Sequence, residues 1–285
     1  MRIICKYTTR FFRNMQSIRK KEVFPRLYTG ARNVENSHTQ MKILIDTHTH
    51  SIASGHAYST IDDLARGARK RGLAAFALTE HGPTMPASPH AYFFGNLRVI
   101  PQKIHGVRFI KGIEANILDT EGTIDLDSKL LLRLDFVMAG LHEICFPPRD
   151  RDENTLALVS ALRSPLIDTI SHSGNPTYPV DARAVVRAAA ENGKAIEINN
   201  SSFKIRQGSH KNCLLIAELC VEMGVKILCG SDAHYWRDVG NFEAVKALLK
   251  EAKVPKELVL SASVKDFDAF IAARKEARKA AIDGK

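Results

Sequence analysis

From residue 41 onward, short apolar or β-branched runs alternate with longer stretches in which apolar residues recur every three or four positions. The short runs fall at 42–46, 74–79, 107–112, 134–139, 167–171, 195–199 and 225–230. Their length and composition predict strands. Between them lie "TIDDLARGARKRG", "ENTLALVSALRS", "DARAVVRAAAENG" and "NCLLIAELCVEMG", which predict amphipathic helices. Ser59 or Thr60 is a natural N-cap for the first, with Asp62 and Asp63 in its first turn and Gly72 as its stop. Asp181 and Gly193 bracket the third, and Gly224 ends the fourth. Strand–helix alternation of this length means βα units and a mainly parallel sheet.

Such a sheet is either open and doubly wound or closed into a barrel. Neither GxGxxG nor GxxxxGK[ST] occurs. The polar residues favour closure. His48, His81, Glu114, His142, His172, Asn200 and Asp232 follow one another at intervals of 33, 33, 28, 30, 28 and 32 residues. Each falls at or just past the end of an expected strand, where a parallel barrel gathers its active site. The expectation is a distorted (βα)7 TIM-like barrel with a site at the C-terminal ends of its strands.

Seven of the eleven histidines lie in polar stretches after strands: His48 and His50 in "DTHTH", His56 in "SGHAYS", His81 in "TEHG", His142 in "GLHE", His172 in "SHSGN" and His234 in "SDAH". Glu114 in "GIEANI" and Asp232 in "SDAH" share the pattern. Residues two apart in extended backbone share a face, so His48 with His50, and Asp232 with His234, can chelate one centre. Imidazole and carboxylate suit Zn2+, Mn2+ and Fe2+. Nine donors exceed one ion's needs, while three ions at about three protein ligands each would use them all.

The formal charge of +10 on 285 residues first suggests a nucleic-acid partner. Its location changes that picture. Residues 1–40 carry +7 and the remaining 245 only +3. The body is not strongly basic, so nucleic acid is not the expected partner. Residues 1–40 are Arg-rich and acid-poor and read as a basic, disordered extension; alternatively Met41 is the true start. The domain proper is then 41–285. No apolar run is long enough for a membrane span. Five scattered cysteines without a CxxC pair read as reduced thiols of a cytoplasmic protein. The charged C-terminal stretch "KDFDAFIAARKEARKAAIDGK" reads as an amphipathic helix with a solvated face.

The ordered motifs "DTHTHS", "TEHG", "GIEANI", "GLHE", "SHSGNP", "EINNSS" and "GSDAH" resemble those of the PHP (polymerase and histidinol phosphatase) superfamily, over about residues 42–265. "SGHAYST" and "NNSSF" point to its stand-alone bacterial phosphoesterases with three clustered zinc ions. The resemblance implies that His48, His50 and Asp232 bind a first metal, that Glu114 bridges to a second completed by His142 and His172, and that His56, His81 and His234 hold a third. Two neighbours depart from the usual pattern: Glu80 where Asp commonly precedes the ligand histidine, and Ser173 where Pro commonly follows His172.

The expected activity is a metal-dependent phosphatase acting on small phosphomonoesters through a metal-bound hydroxide, with zinc as cofactor and Mn2+ or Fe2+ as substitutes. Asp46 is expected to orient a ligand. Asn199 and Asn200 in "NNSS", Arg206 with Lys204, and His90 are candidates for the substrate mouth. Competing readings are a histidinol-phosphate phosphatase or nuclease of the same family, an amidohydrolase, and a non-catalytic zinc-binding accessory domain. Homo-oligomerisation is left open.

Overall fold

The computed structural model describes residues 41–284. The expectations attached to residues 1–40 lie outside the described residues. The strands are β1 (Ile45–Thr49), β2 (Ala75–Leu78), β3 (Lys103–Ile104), β4 (Val107–Asn116), β5 (Phe136–Gly140), β6 (Thr169–Ile170), β7 (Ala195–Asn199) and β8 (Lys226–Gly230). The helices are α1 (Ile61–Lys70), α2 (Ala91–Asn96), α3 (Ser128–Leu131), α4 (Arg151–Arg163), α5 (Ala182–Glu191), α6 (Ser202–Ile205), α7 (Ser209–Met223), α8 (Glu243–Glu251) and α9 (Val264–Asp283). All strands but β3 pair in parallel, in the order β1-β2-β4-β5-β6-β7-β8. The short β3 adds antiparallel to β4. Among the described residues no helix is long and apolar enough to cross a membrane.

The sheet curls until β8 meets β1. Thr49 bridges Ala233 in parallel, and the Asp232 amide donates to the His48 carbonyl at 2.9 Å. Asp46 closes the lower part of this seam: its carboxylate accepts from the amides of Ser231 at 2.9 Å and Gly240 at 2.8 Å. The result is the expected seven-stranded TIM-like barrel, nearly closed by backbone pairing and finished by side chains.

Two shifts of the expected boundaries bear on the site. The first strand runs three residues later than 42–46, so His48 lies inside it. The third expected strand continues to Asn116, because its second half pairs with β5 after its first half has paired with β2, and this puts Glu114 inside the sheet. The caps match the helix signals: Thr60 and Asp63 form a capping box on α1, Asp181 caps α5, and Gly224 ends α7 at φ 69°.

The barrel interior is layered. Ile45, Ala75, Ala77, Ile110, Phe136, Met138, Ala195 and Leu228 fill its lower half, and Phe267 and Ile271 of α9 seal it from below. Helix α9 is thus not simply a solvated face. Its Arg278 is wholly buried and donates to both oxygens of buried Asp168 at 2.5 Å. Above the apolar plug the same strand faces turn polar or vanish: Ile110 is followed at alternate positions by Gly112, Glu114 and Asn116, Ala195 by Glu197 and Asn199, and Leu228 by Gly230. The glycines are needed for space. A Cβ on Gly230 would stand 2.1 Å from Glu197 Oε1, and one on Gly140 would stand 2.2 Å from Ser171 Oγ and 3.2 Å from Glu114 Oε1.

Candidate metal centre

Glu114 stands at the middle of the upper layer, 1% exposed. Its two oxygens face different imidazoles. Oε2 lies 3.2 Å from His48 Nε2, 3.5 Å from His50 Nε2 and 3.0 Å from His81 Nδ1. Oε1 lies 2.8 Å from His172 Nε2 and 3.3 Å from His142 Nε2. Asp232 Oδ1 adds a second carboxylate, 3.5, 3.4 and 3.5 Å from His48, His50 and His234 nitrogens. The His56 ring, more exposed, lies 4.8 Å from that of His234 and 5.2 Å from that of His81. The sequence-selected histidines and carboxylates therefore surround one space.

Three sets of donor atoms lie within 4.8 Å of one another: His48, His50 and Asp232; His81, Glu114 and His142; and His50, His81 and His234. The first coincides with an expected ligand set. The other two cut across the expected division, because His81 leans towards Glu114 as well as towards His234.

These groups fit a cation. The buried His81 Nδ1 and His142 Nε2 have no hydrogen-bond partner, although each points at Glu114. The His48 and His50 Nε2 atoms face each other at 3.0 Å, which a shared cation satisfies without needing a proton between them. Electrostatics runs the same way. Burial pushes Glu114 and Asp232 up, but the surrounding imidazoles, joined at Asp232 by Arg206, outweigh it and hold both carboxyls well below their usual range. Burial, reinforced by His81 and His234, holds His50 well below the usual histidine value. At His48 burial is overcome by Glu114, Glu197 and Asp232, and the net direction is strongly upward.

The backbone also serves this geometry. His172 has φ 27° and Asp232 φ 55°, left-handed conformations that cost a non-glycine residue about 1–3 kcal/mol each. Hydrogen bonds from neighbouring strands hold them there: the His172 amide donates to Glu197 Oε2 at 2.8 Å and Asn199 Nδ2 donates to Asp232 Oδ2 at 3.2 Å.

The sequence matches the PHP domain family over residues 46–201, more than half of the chain. The chain belongs to the PHP domain family. A protein of Acetivibrio thermocellus named a probable phosphatase is 51% identical over 236 residues, covering 83% of this chain and 98% of that one. Another so named, from Caldanaerobacter subterraneus subsp. tengcongensis, is 53% identical over 79% of this chain and 89% of its own length. Histidinol phosphate phosphatase from Lactococcus lactis, solved with zinc, L-histidinol and phosphate, superposes with a TM-score of 0.53 at 18% identity over 74% of this chain and 94% of that one. This likeness is one of fold.

The remaining candidates of the PHP domain scatter. A cavity of about 700 Å3 opens over the cluster and is lined by, among others, Tyr178, Ser201, Lys204, Ile205 and Arg206. Arg206 donates to Asp232 Oδ2 at 3.3 Å and to Ser202 Oγ at 3.1 Å. Asn199 sits beneath, between Glu197 and Asp232. Asn200 turns away: its Oδ1 accepts from the Val245 amide in α8. His90 is exposed, does not line the cavity, and caps α2 through the Tyr92 amide at 3.2 Å. Asp46 touches no imidazole; it accepts from the His48 amide at 3.3 Å and binds the seam. Burial pushes its carboxyl up to about 6 against the amides of Ser231, Gly240 and His48.

Two supporting groups, Glu197 and Asn116, escape motif reasoning, and a third, Glu80, stands out in the sequence only as a departure from the usual pattern. Glu197 Oε1 accepts from His48 Nδ1 at 2.8 Å. Asn116 Oδ1 accepts from His142 Nδ1 at 2.6 Å, and Asn116 is itself held by Asp125. Glu80 receives the Ser51 amide and the hydroxyls of Ser51 and Ser54, and Ser54 Oγ lies 3.3 Å from His50 Nδ1. Period-two reading of β7 contains a signal for Glu197: a carboxylate on the face that Ala195 places in the core needs a partner there.

Proposed function

We propose that this PHP-domain enzyme is a metal-dependent phosphatase, a phosphoric ester hydrolase acting on small phosphomonoesters at a trinuclear site. The observation that carries the reading is Glu114, buried, with its two oxygens turned towards separate groups of imidazoles. His48, His50 and Asp232 would hold one ion, Glu114 would bridge it to a second held with His142 and His172, and His56, His81 and His234 would hold a third. Zinc is the proposed ion, with Mn2+ and Fe2+ accepted by the same donor chemistry. Bound ions would supply Lewis acidity to water and to phosphoryl oxygens.

The chain's own groups bind and orient the ester. Lys204 lines the cavity with an exposed ammonium suited to a phosphate dianion. Arg206 stands beside it, its guanidinium anchored on Asp232. Tyr178 donates its hydroxyl to the Phe146 carbonyl at 2.7 Å, so it offers an aromatic face and not a proton. The cavity of about 700 Å3 suits a small substrate. The names of the relatives, and the fold shared with a phosphatase solved with zinc and phosphate, support the same reading. Cys145, Cys213, Cys220 and Cys229 are free thiols, which fits a reducing compartment such as the cytoplasm.

Metal-replete protein assayed against a broad panel of phosphomonoesters, with a fluorescent oligonucleotide alongside, tests the proposal. Hydrolysis of a small ester that is lost in Glu114→Gln supports it. Metal binding with no ester hydrolysis returns the accessory-domain reading, and cleavage of the oligonucleotide alone returns the nuclease.

A further inference from the structure

One carboxylate in the barrel has partners on both sides of Glu114. Glu197 lies in the middle of β7, 2% exposed, with the apolar plug below and the imidazoles above. Its Oε1 accepts from His48 Nδ1 at 2.8 Å. Its Oε2 accepts from the His172 amide at 2.8 Å and from Asn199 Nδ2 at 3.3 Å, and the same Asn199 amide reaches Asp232. Gly230 leaves the space that Oε1 fills. No arginine or lysine bonds to this carboxylate among the described residues. All its partners belong to donors of the candidate centre or to the residue beside them.

We propose that Glu197 is the positioning residue of the metal centre: it fixes the His48 tautomer through Oε1 and the His172 backbone through Oε2, so that one carboxylate preorganises donors for two ions. This rests on reading the cluster as a metal site.

The chemistry is direct. A carboxylate can only accept, so the neutral His48 that a metal ion requires must carry its proton on Nδ1, which leaves the Nε2 lone pair facing Glu114 and Asp232. The bond to Oε2 pins the His172 amide at a residue whose φ of 27° the chain would not otherwise keep. Glutamine has the same shape but cannot accept at both ends. If its amide group faces His48, the ring must accept at Nδ1 and carry its proton on Nε2, where the lone pair is needed. If it faces His172, two N–H groups oppose each other. Glu197→Gln therefore keeps the volume and breaks the function assigned here, which separates positioning from packing.

The test is zinc binding by the full-length protein, stripped and titrated against a chromophoric chelator, for wild type and Glu197→Gln. The expected result is a loss of about 10- to 100-fold in zinc affinity, the usual effect of removing a histidine's outer partner. Metal-free Glu197→Gln should still unfold in one cooperative transition, at a lowered temperature because a buried hydrogen bond is lost. Affinity within about threefold of wild type would overturn the proposal. Nitrogen-15 spectra of zinc-loaded wild type give a second measure that needs no variant: His48 should be protonated on Nδ1 and coordinated through Nε2, and the reverse assignment overturns it. Wild type that binds no zinc would instead overturn the metal reading of the site itself.

Discussion

Arg278→Met offers a sharp separation of fold from chemistry. Arg278 and Asp168 are both fully buried, with Nη1 on both carboxylate oxygens at 2.5 Å and Nη2 on the carbonyls of Leu134 and Asp135 at 3.3 and 3.2 Å. Burial raises the Asp168 carboxyl above its usual range even though Arg278 and Arg274 oppose it, so the ion pair does not return all of its desolvation. Methionine would leave Asp168 with the Val137 amide at 2.8 Å and Arg274 Nε at 3.5 Å. Stripping one partner from a buried pair costs about 3–5 kcal/mol. At roughly 2–4 °C per kcal/mol for a domain of this size, the melting temperature should fall by about 6–20 °C. Urea unfolding followed by circular dichroism measures the loss. The double variant Asp168→Asn, Arg278→Met removes the stranded charge but keeps an acceptor for Val137, and should recover part of it. Zinc content and turnover at 25 °C should stay at wild-type levels, because Asp168 precedes β6 at the lower end of the barrel whereas the metal centre lies at the upper, C-terminal end of the strands. A loss below about 1 kcal/mol, or a double variant no more stable than Arg278→Met, would refute the reasoning.

Gly230→Ala puts a methyl 2.1 Å from Glu197 Oε1 and 2.5 Å from His48 Cβ, and should cost about 1–3 kcal/mol together with metal content; normal melting and normal zinc by elemental analysis would contradict this. Lys194 donates to the carbonyls of Ser164 and Ile167 at 2.7 and 2.5 Å, and burial, helped by Arg274 and Arg278 and opposed by Asp168, lowers its pKa to about 7. The unfolded chain then binds more protons between about pH 7 and 10.4, so this residue makes stability rise with pH in that window, by at most about 1.4 kcal/mol per pH unit. Urea unfolding across the window should show a flatter profile in Lys194→Met; identical slopes would exclude the effect. Chelation should lower the melting temperature and added zinc restore it, since a ligand at 100 times its Kd stabilises by about 2.7 kcal/mol. A melting curve indifferent to both would count against metal binding.

The local sequence determined what depends on local chemistry. Period and caps located α1, α5 and α7, because a capping box and a left-handed glycine act within one turn. Near-regular spacing of polar residues after apolar runs marked the barrel and the nine residues around its mouth, because each βα unit returns its strand end to the same rim. Only the tertiary structure decided how those donors pair. It moved β1 over His48 and carried β4 past Glu114, because a strand ends where its neighbours stop offering hydrogen bonds. It turned Asn200 towards α8, gave His90 to a helix cap, and set Asp46 in the seam. It brought Glu197 under His48 across 149 residues and buried Arg278 against Asp168 across 110. Contacts of that kind exist only once the sheet has closed, and no periodicity along the chain encodes which side chains then face one another.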